Sequence, residues 1–464
     1  MDVIGILLSL FLLMFFAYRG FSVILFAPVF ALLAASMSGL PLMPAYTELF
    51  MAKAVVYIKS FFPVFMLGAV FGKVMEDTGL AKAIARSIIQ SLGKERAILS
   101  VVLACTVLTY GGVSLFVVVF AVYPFAAALY KEADIPKRLL PGTIALGAFT
   151  ATMDSFPGTP QIQNLIPTNF FGTTIYAAPI LGIIGGVLIY TLGLFYLEHR
   201  RKAAAAAGEG YGNHTLNEPE VKEDVTLPPW YVAILPLITV LVVNLLITKV
   251  NWDPSLITIF QDMKIPLVAA GIKNVLGIWA LIIALICGIV LAVLLGITKL
   301  PKGGLIKALN AGTIGSLLAI MNTASEVGYG NVIASLSGFK HISAALMSIK
   351  VGGSPLVSEA VTVNVLAGVT GSASGGMSIA LDLMSKDWLA WANSIGMSPE
   401  ILHRVASMAS GGMDTLPHNG AVITLLAVCG MTHRESYPDI FAMTVIKTCM
   451  VFLIILLHSI TGIL

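Results

Sequence analysis

The chain has 464 residues, 58% of them hydrophobic and 11% charged, with a formal net charge of +3. A soluble domain carries roughly 25% charged residues, so this composition excludes a water-soluble globule and points to an all-α polytopic membrane protein with no nucleic-acid partner. Cys105, Cys287, Cys429 and Cys449 stand in apolar segments with no CxxC pair, which argues against a disulfide framework or a thiolate metal site, and no cofactor is expected.

The first apolar run, VIGILLSLFLLMFFAY, has no basic residue before it and no small-residue cleavage site after it, and reads as a retained membrane helix rather than a signal peptide. Further apolar runs at 97–130, 155–197, 274–298 and 440–463 each supply the ~20 residues that a crossing needs, and about a dozen membrane elements are expected in all. Drawn as one helix, 97–130 would extend about 51 Å at roughly 1.5 Å per residue, well past the bilayer. Splitting it at Tyr110-Gly111-Gly112 gives a re-entrant hairpin whose glycine tip lets a ligand approach the backbone. The polar segment EHRRKAAAAAGEGYGNHTLNEPEVKEDVTLPP reads as a flexible linker, 198–228, between a first half, 1–197, and a second half, 229–464.

The two halves are related. MDSFPGTPQIQNL at 153–165 aligns without gaps on MDTLPHNGAVITL at 413–425, and GGVSL at 111–115 matches GGMSI at 375–379, in the same order at nearly the same spacing. Arg200, Arg201 and Lys202 are cytoplasmic by the positive-inside rule, and Lys299 and Lys302, two crossings later, fall on the same side. Counting back through the re-entrant hairpin puts Lys131, Lys137, Arg138, the Lys73 to Arg96 cluster and Arg19 in the cytoplasm and both termini outside. The halves then start on opposite sides, as inverted repeats.

Inverted repeats with interrupted helices point to a site at the bilayer midplane, where free backbone groups persist only if they line a polar cavity. Pro157 and Pro417 cannot continue a helix, whereas Asp154-Ser155 and Asp414-Thr415 can each cap a restarting half-helix. TGSASGGMS, residues 370–378, is expected to form a second hairpin tip. Four pieces then meet at mid-membrane, and their helix N-termini attract a small carboxylate without any arginine. The expected substrate contacts are Gly111, Gly112, Ser114, Ser155, Gly158 and Thr159 in the first half and Ser374, Gly375, Gly376, Thr415, His418 and Asn419 in the second. Asp154 and Asp414 are duplicated acids at membrane depth and are expected to couple ion movement, with Asp414 the favoured carrier because His418 follows one turn later. Blander readings stay open: the aspartates as structural caps, the glycines as close-packing positions, the hydroxyls bonded to their own helices. Glu326, in NTASEVGYG, is a further acid in an apolar context whose role is open.

LHRVASMASGGMDTLPHNGAVITLLAVCGMTHRESYPD, residues 402–439, resembles the C-terminal signature of the gluconate permease family of proton-coupled symporters, within the ion transporter superfamily. The resemblance implies a multi-pass protein of the bacterial inner membrane, a scaffold domain that forms a homodimer, and a transport domain that moves as an elevator carrying two hairpins and two unwound helices. Gluconate-transporting members carry a histidine-rich, proline-rich segment where TMDSFPGTP stands here; the chain is more similar to hydroxybutyrate permeases, which implies a shorter hydroxy or keto monocarboxylate taken up with protons. Sodium is the alternative ion, since unwound carbonyls with Ser, Thr, Asn and Asp oxygens also hold a hard cation. No GxxxxGK[ST] sequence is present to drive pumping by ATP. An intramembrane hydrolase built on Ser374 and His418 has no counterpart in the first half, and a channel is separated from a carrier by gradient-driven accumulation.

Overall fold

The computed structural model describes residues 2–19, 21–113, 115–218, 227–264, 271–300, 303–349, 351–417 and 419–464. Among the described residues all regular secondary structure is helical. Leu42–Asp77, Pro179–Ala206, Trp230–Thr248, Val275–Lys299, Gly304–Ser335 and His433–Thr461 are each long and apolar enough to cross a bilayer alone, and in lipid a helix is the form that satisfies its own backbone. The chain is therefore an all-α polytopic membrane protein.

Apart from the short helix Ser255–Asp262 in the second, both halves run through one order of elements. Two lead helices (Asp2–Tyr18 and Val23–Met37; Trp230–Thr248 and Ile272–Gly296) precede a long central helix (Leu42–Asp77; Gly304–Ser335) and a short helix (Leu80–Leu92; Ser337–Met347). A hairpin follows (Ala97–Tyr110 with Leu115–Glu132; Leu356–Thr370 with Ala373–Ser394). Then come a broken helix (Leu140–Ala148, Ala151–Asp154 and Ile162–Phe171; Pro399–Gly412 and Gly420–Cys429) and a closing helix (Pro179–Ala206; His433–Thr461). Besides its hairpin, each half thus has two lead helices, one central helix, one broken helix and one closing helix.

Packing is reciprocal, as a two-fold relation between the halves requires. The central helices pack on each other, and the second lead helix of each half lies on the other half's central helix. The second arm of each hairpin lies on the restarted fragment of the other half's broken helix, and the closing helices pair. Between the central helices a Cβ on Gly312 would stand 2.6 Å from Val70 Cα, so the missing side chain is what lets the two backbones touch.

The polar segment departs from expectation. Helix Pro179–Ala206 runs past the end of its apolar stretch at 197, because Arg, Lys and Ala are good helix formers. Residues 209–218 then lie back across the base of the first hairpin as a strap rather than a loose tether. Arg138 grips Glu209 with two bonds of 2.6 and 2.8 Å, Lys137 meets Glu218 at 2.5 Å, and Asn217 takes a bond from Tyr123 and gives one to Ala427 O at 2.8 Å. Arg138 and Arg200 also share Asp439. The Arg138 guanidinium holds the Glu209 carboxyl below the usual glutamate range. A lowered carboxylate contributes above its unfolded pKa and fails only as pH falls through the lower folded value, so this anchor is complete at neutral pH.

Candidate functional site

The first hairpin turns at Gly112, whose φ of +95° few side chains tolerate. The second turns at Gly371, φ +66°, and Ser372, whose hydroxyl accepts the Gly375 N–H at 3.1 Å and so caps the arm Ala373–Ser394. Gly371 stands 260 residues after Gly111 (371 minus 111), the same offset as the two aspartates (414 minus 154). The GGVSL and GGMSI match is thus four residues out of step, and Gly375 and Gly376 are corrected from tip positions to the first turn of the arm. There they permit close packing: a Cβ on Gly376 would stand 2.1 Å from Ala367 N of the facing arm, and one on Gly375 1.5 Å from Glu326 Oε2. Gly376→Val is therefore expected to splay the hairpin and to lower stability by at least the roughly 3 kcal/mol at the upper end of overpacking costs, read by thermal unfolding in detergent. Gly112→Val, facing Pro160 at the tip, is expected to leave the protein inserted and to lose ligand binding.

Both aspartates sit at the ends of helix fragments rather than at the starts. Asp154 closes Ala151–Asp154, and Asp414 follows Met413, the C-cap of Pro399–Gly412. The N-caps of the restarting fragments are Gln161 and Asn419, and it is Asn419 Oδ1 that accepts the Ala421 N–H, at 2.7 Å. The expectation that Asp-Ser and Asp-Thr cap the restarts is corrected: a Pro-containing turn separates each aspartate from the helix it was to cap. A helix C-terminus repels a carboxylate, and compensation comes from elsewhere. Lys447, buried in the closing helix of the second half, donates to Asp414 Oδ1 at 2.6 Å and to Phe149 O at 2.9 Å, a carbonyl at the kink of the first broken helix. Asp154 is differently placed: Oδ1 takes the Ser155 hydroxyl at 2.6 Å, while the buried Oδ2 has no hydrogen-bond partner among the described residues. Its backbone carbonyl, orphaned by the break, accepts from Arg404 at 3.1 Å and from Ser407 at 2.8 Å. Fully buried Arg404 also donates to Ala177 O and Asn164 Oδ1, so the second half closes the break in the first.

A cavity of about 710 Å³ lies where these pieces meet. Leu115, Ile162, Ala373 and Gly420, the first helical residues of four fragments, line it, and the central helices supply further wall together with Val23 and Leu285 of the lead helices. Amide side chains brace both restarts to the hairpin of their own half: Gln161 donates to Thr109 O at 2.7 Å and Asn419 to Gly371 O at 2.7 Å. Of the residues singled out from sequence, Gly112, Glu326, Ser374, Asp414 and Asn419 line the cavity. The others that are described pack behind it. Thr159 donates to Thr152 O, Thr415 shares a 2.6 Å bond with Thr444, Gly158 faces the Tyr176 ring and Gly111 faces Leu237. Ser114 and His418 lie outside the described residues. Lys447, Arg404 and Gln161 were missed. Lys447 had a signal, a lone lysine inside the run 440–463, which had been read as one apolar crossing.

Two hairpins and two broken helices meeting at a cavity inside a multi-pass helical fold define a membrane transporter, not an enzyme. The chain is 52% identical over 480 residues, covering 100% of both sequences, to the uncharacterized transporter YxjC of Bacillus subtilis (strain 168), and it belongs to the same family. Its fold is similar to that of the YdaH transporter of Alcanivorax borkumensis, with a TM-score of 0.53 and 15% identity over 88% of this chain and 87% of that one. No family model matches the chain.

Proposed function

We propose that the protein is a secondary active symporter of small organic acid anions, taking up a hydroxy or keto monocarboxylate such as 3-hydroxybutyrate, or a gluconate-like sugar acid, together with protons across the bacterial inner membrane. The observation that carries this reading is the convergence of four helix N-termini on one cavity whose wall, among the described residues, holds no arginine or lysine. Free N–H groups and the positive ends of helix dipoles bind an anion and release it without the deep trap that a buried cation would set. Asp414 does not oppose the anion, because Lys447 neutralises it. Coupling then falls to the pair of broken-helix carboxylates, with Asp154 rather than Asp414 as the carrier: its Oδ2 is free to take a proton or, in the alternative reading, sodium. The hairpins and broken helices, packed on one another across the halves, form the body that moves as an elevator against a dimerised scaffold of central and lead helices.

Reconstituted in proteoliposomes, the protein is expected to accumulate radiolabelled 3-hydroxybutyrate saturably above the external concentration when the interior is alkaline. Equilibration without accumulation would make it a channel. Accumulation driven by sodium and indifferent to the pH gradient would replace the proton.

A further inference from the structure

Two carboxyl groups reach the cavity wall among the described residues, Asp414 and Glu326. Asp414 has Lys447. Glu326 has no such partner: it projects from the central helix Gly304–Ser335, is buried, lies against the Ser372 side chain at the second hairpin tip, and its Oε2 has no hydrogen-bond partner among the described residues. The contact is built for close approach, since a Cβ on Gly375 would stand 1.5 Å from Oε2. The other charged and titratable groups on the elements packed around it are few. Tyr57 of helix Leu42–Asp77 is buried and close enough to interact with it electrostatically; Glu48, Lys53 and Lys59 of the same segment are exposed, and Lys73 is engaged by Glu76 and Asp77. Val23–Met37 carries no charged residue. On the remaining neighbours Lys340, His341, Asp382, Lys386 and Asp387 are exposed.

We propose that Glu326 is a substrate-binding residue that acts in its acid form, donating a hydrogen bond from its carboxyl to an oxygen of the transported hydroxy or keto acid. The proposal rests on the anion reading above and deepens it. A carboxylate left ionised and unpaired on this wall would repel the anion in a medium of low effective dielectric, where a unit pair at contact distance is not screened away. A carboxylic acid instead offers one O–H donor to the ligand while keeping an acceptor for Ser372. Binding the anion and binding a proton on Glu326 are then one linked event, distinct from the proton carried at Asp154 in the broken helix. The same carboxyl bridges a central helix and a hairpin tip, so substrate, proton and the contact between the two bodies meet at one group.

The test is exchange of 3-hydroxybutyrate in proteoliposomes held at equal pH on both sides, so that no gradient contributes. In the parent protein the half-saturating concentration should rise by about tenfold per pH unit once Glu326 ionises. Glu326→Gln, whose amide mimics the acid, should bind the anion with a half-saturating concentration that stays flat over the same range, and Glu326→Ala should raise it at every pH. Gly375→Ala reaches the same carboxyl from the hairpin side and should reproduce the Glu326→Ala weakening, provided the variant elutes and melts like the parent in detergent. A Glu326→Gln protein that keeps the parent's pH profile overturns the proposal and leaves the transport reading standing. A parent protein that exchanges neither 3-hydroxybutyrate nor gluconate overturns both.

Discussion

Replacing Lys447 with methionine is expected to abolish uptake and to cost about 3–5 kcal/mol of stability, the penalty for leaving one member of a buried ion pair unpaired. Asp414 would then stand alone at a helix C-terminus beside the cavity, and the Phe149 carbonyl would lose its 2.9 Å donor. The double variant Lys447→Met with Asp414→Asn removes both charges and should recover most of the stability, because no isolated carboxylate is left to desolvate. It should not recover transport if the pair sets the charge of the moving body. Thermal unfolding in detergent and uptake in proteoliposomes, measured on the parent, both single variants and the double variant, give the coupling energy directly. Additive losses would mean that the 2.6 Å contact carries little energy and that the two residues act separately.

The breaks at 154–161 and 414–419 were legible because proline, glycine and acid residues inside an apolar run have few structural excuses, and the first hairpin was legible because 97–130 is too long for one helix. Local chemistry does not say which side of a break a residue serves. Asp154 and Asp414 looked like N-caps because Asp, Ser and Thr cap helices, yet the chain spends several further residues turning before it restarts, and Gln161 and Asn419 take the cap positions. The second tip was placed within TGSASGGMS but on the wrong glycines, because a two-glycine motif outweighed the constant offset that ties Gly111 to Gly371. Lys447 and Arg404 act through contacts 33 and 250 residues away in sequence, and no periodicity along one segment reports such pairings. The polar segment 198–228 reads as a linker by composition; the docking of its part 209–218 depends on Glu209 and Glu218 meeting Arg138 and Lys137, partners that only the folded chain brings within reach.

Asp154→Asn is expected to abolish accumulation driven by a pH gradient while leaving exchange of substrate between the two sides of the membrane. The expectation follows from what each process requires of the group. Net uptake needs the empty carrier to return after releasing both anion and ion, and the asparagine amide, fixed as a neutral mimic of the protonated acid, cannot release the proton that drives the cycle forward. Exchange needs only the loaded form to cross in both directions. Asparagine is nearly isosteric, and its Oδ1 can still accept the 2.6 Å bond from Ser155, so the fold around the break, held by Arg404 and Ser407 on the backbone carbonyl, should persist. The Nδ2 group takes the place of Oδ2, which sits where a Cβ on Gly411 would stand 1.8 Å away; the substitution adds donors but no bulk. Asp414→Asn separates the two acids, since it strands the Lys447 ammonium and should impair exchange as well as net uptake. Measuring both activities for both variants, with and without sodium, decides the assignment. Full gradient-driven accumulation by Asp154→Asn would remove Asp154 from the coupling path, whereas a parent whose uptake requires sodium would turn its free Oδ2 into a ligand for that ion.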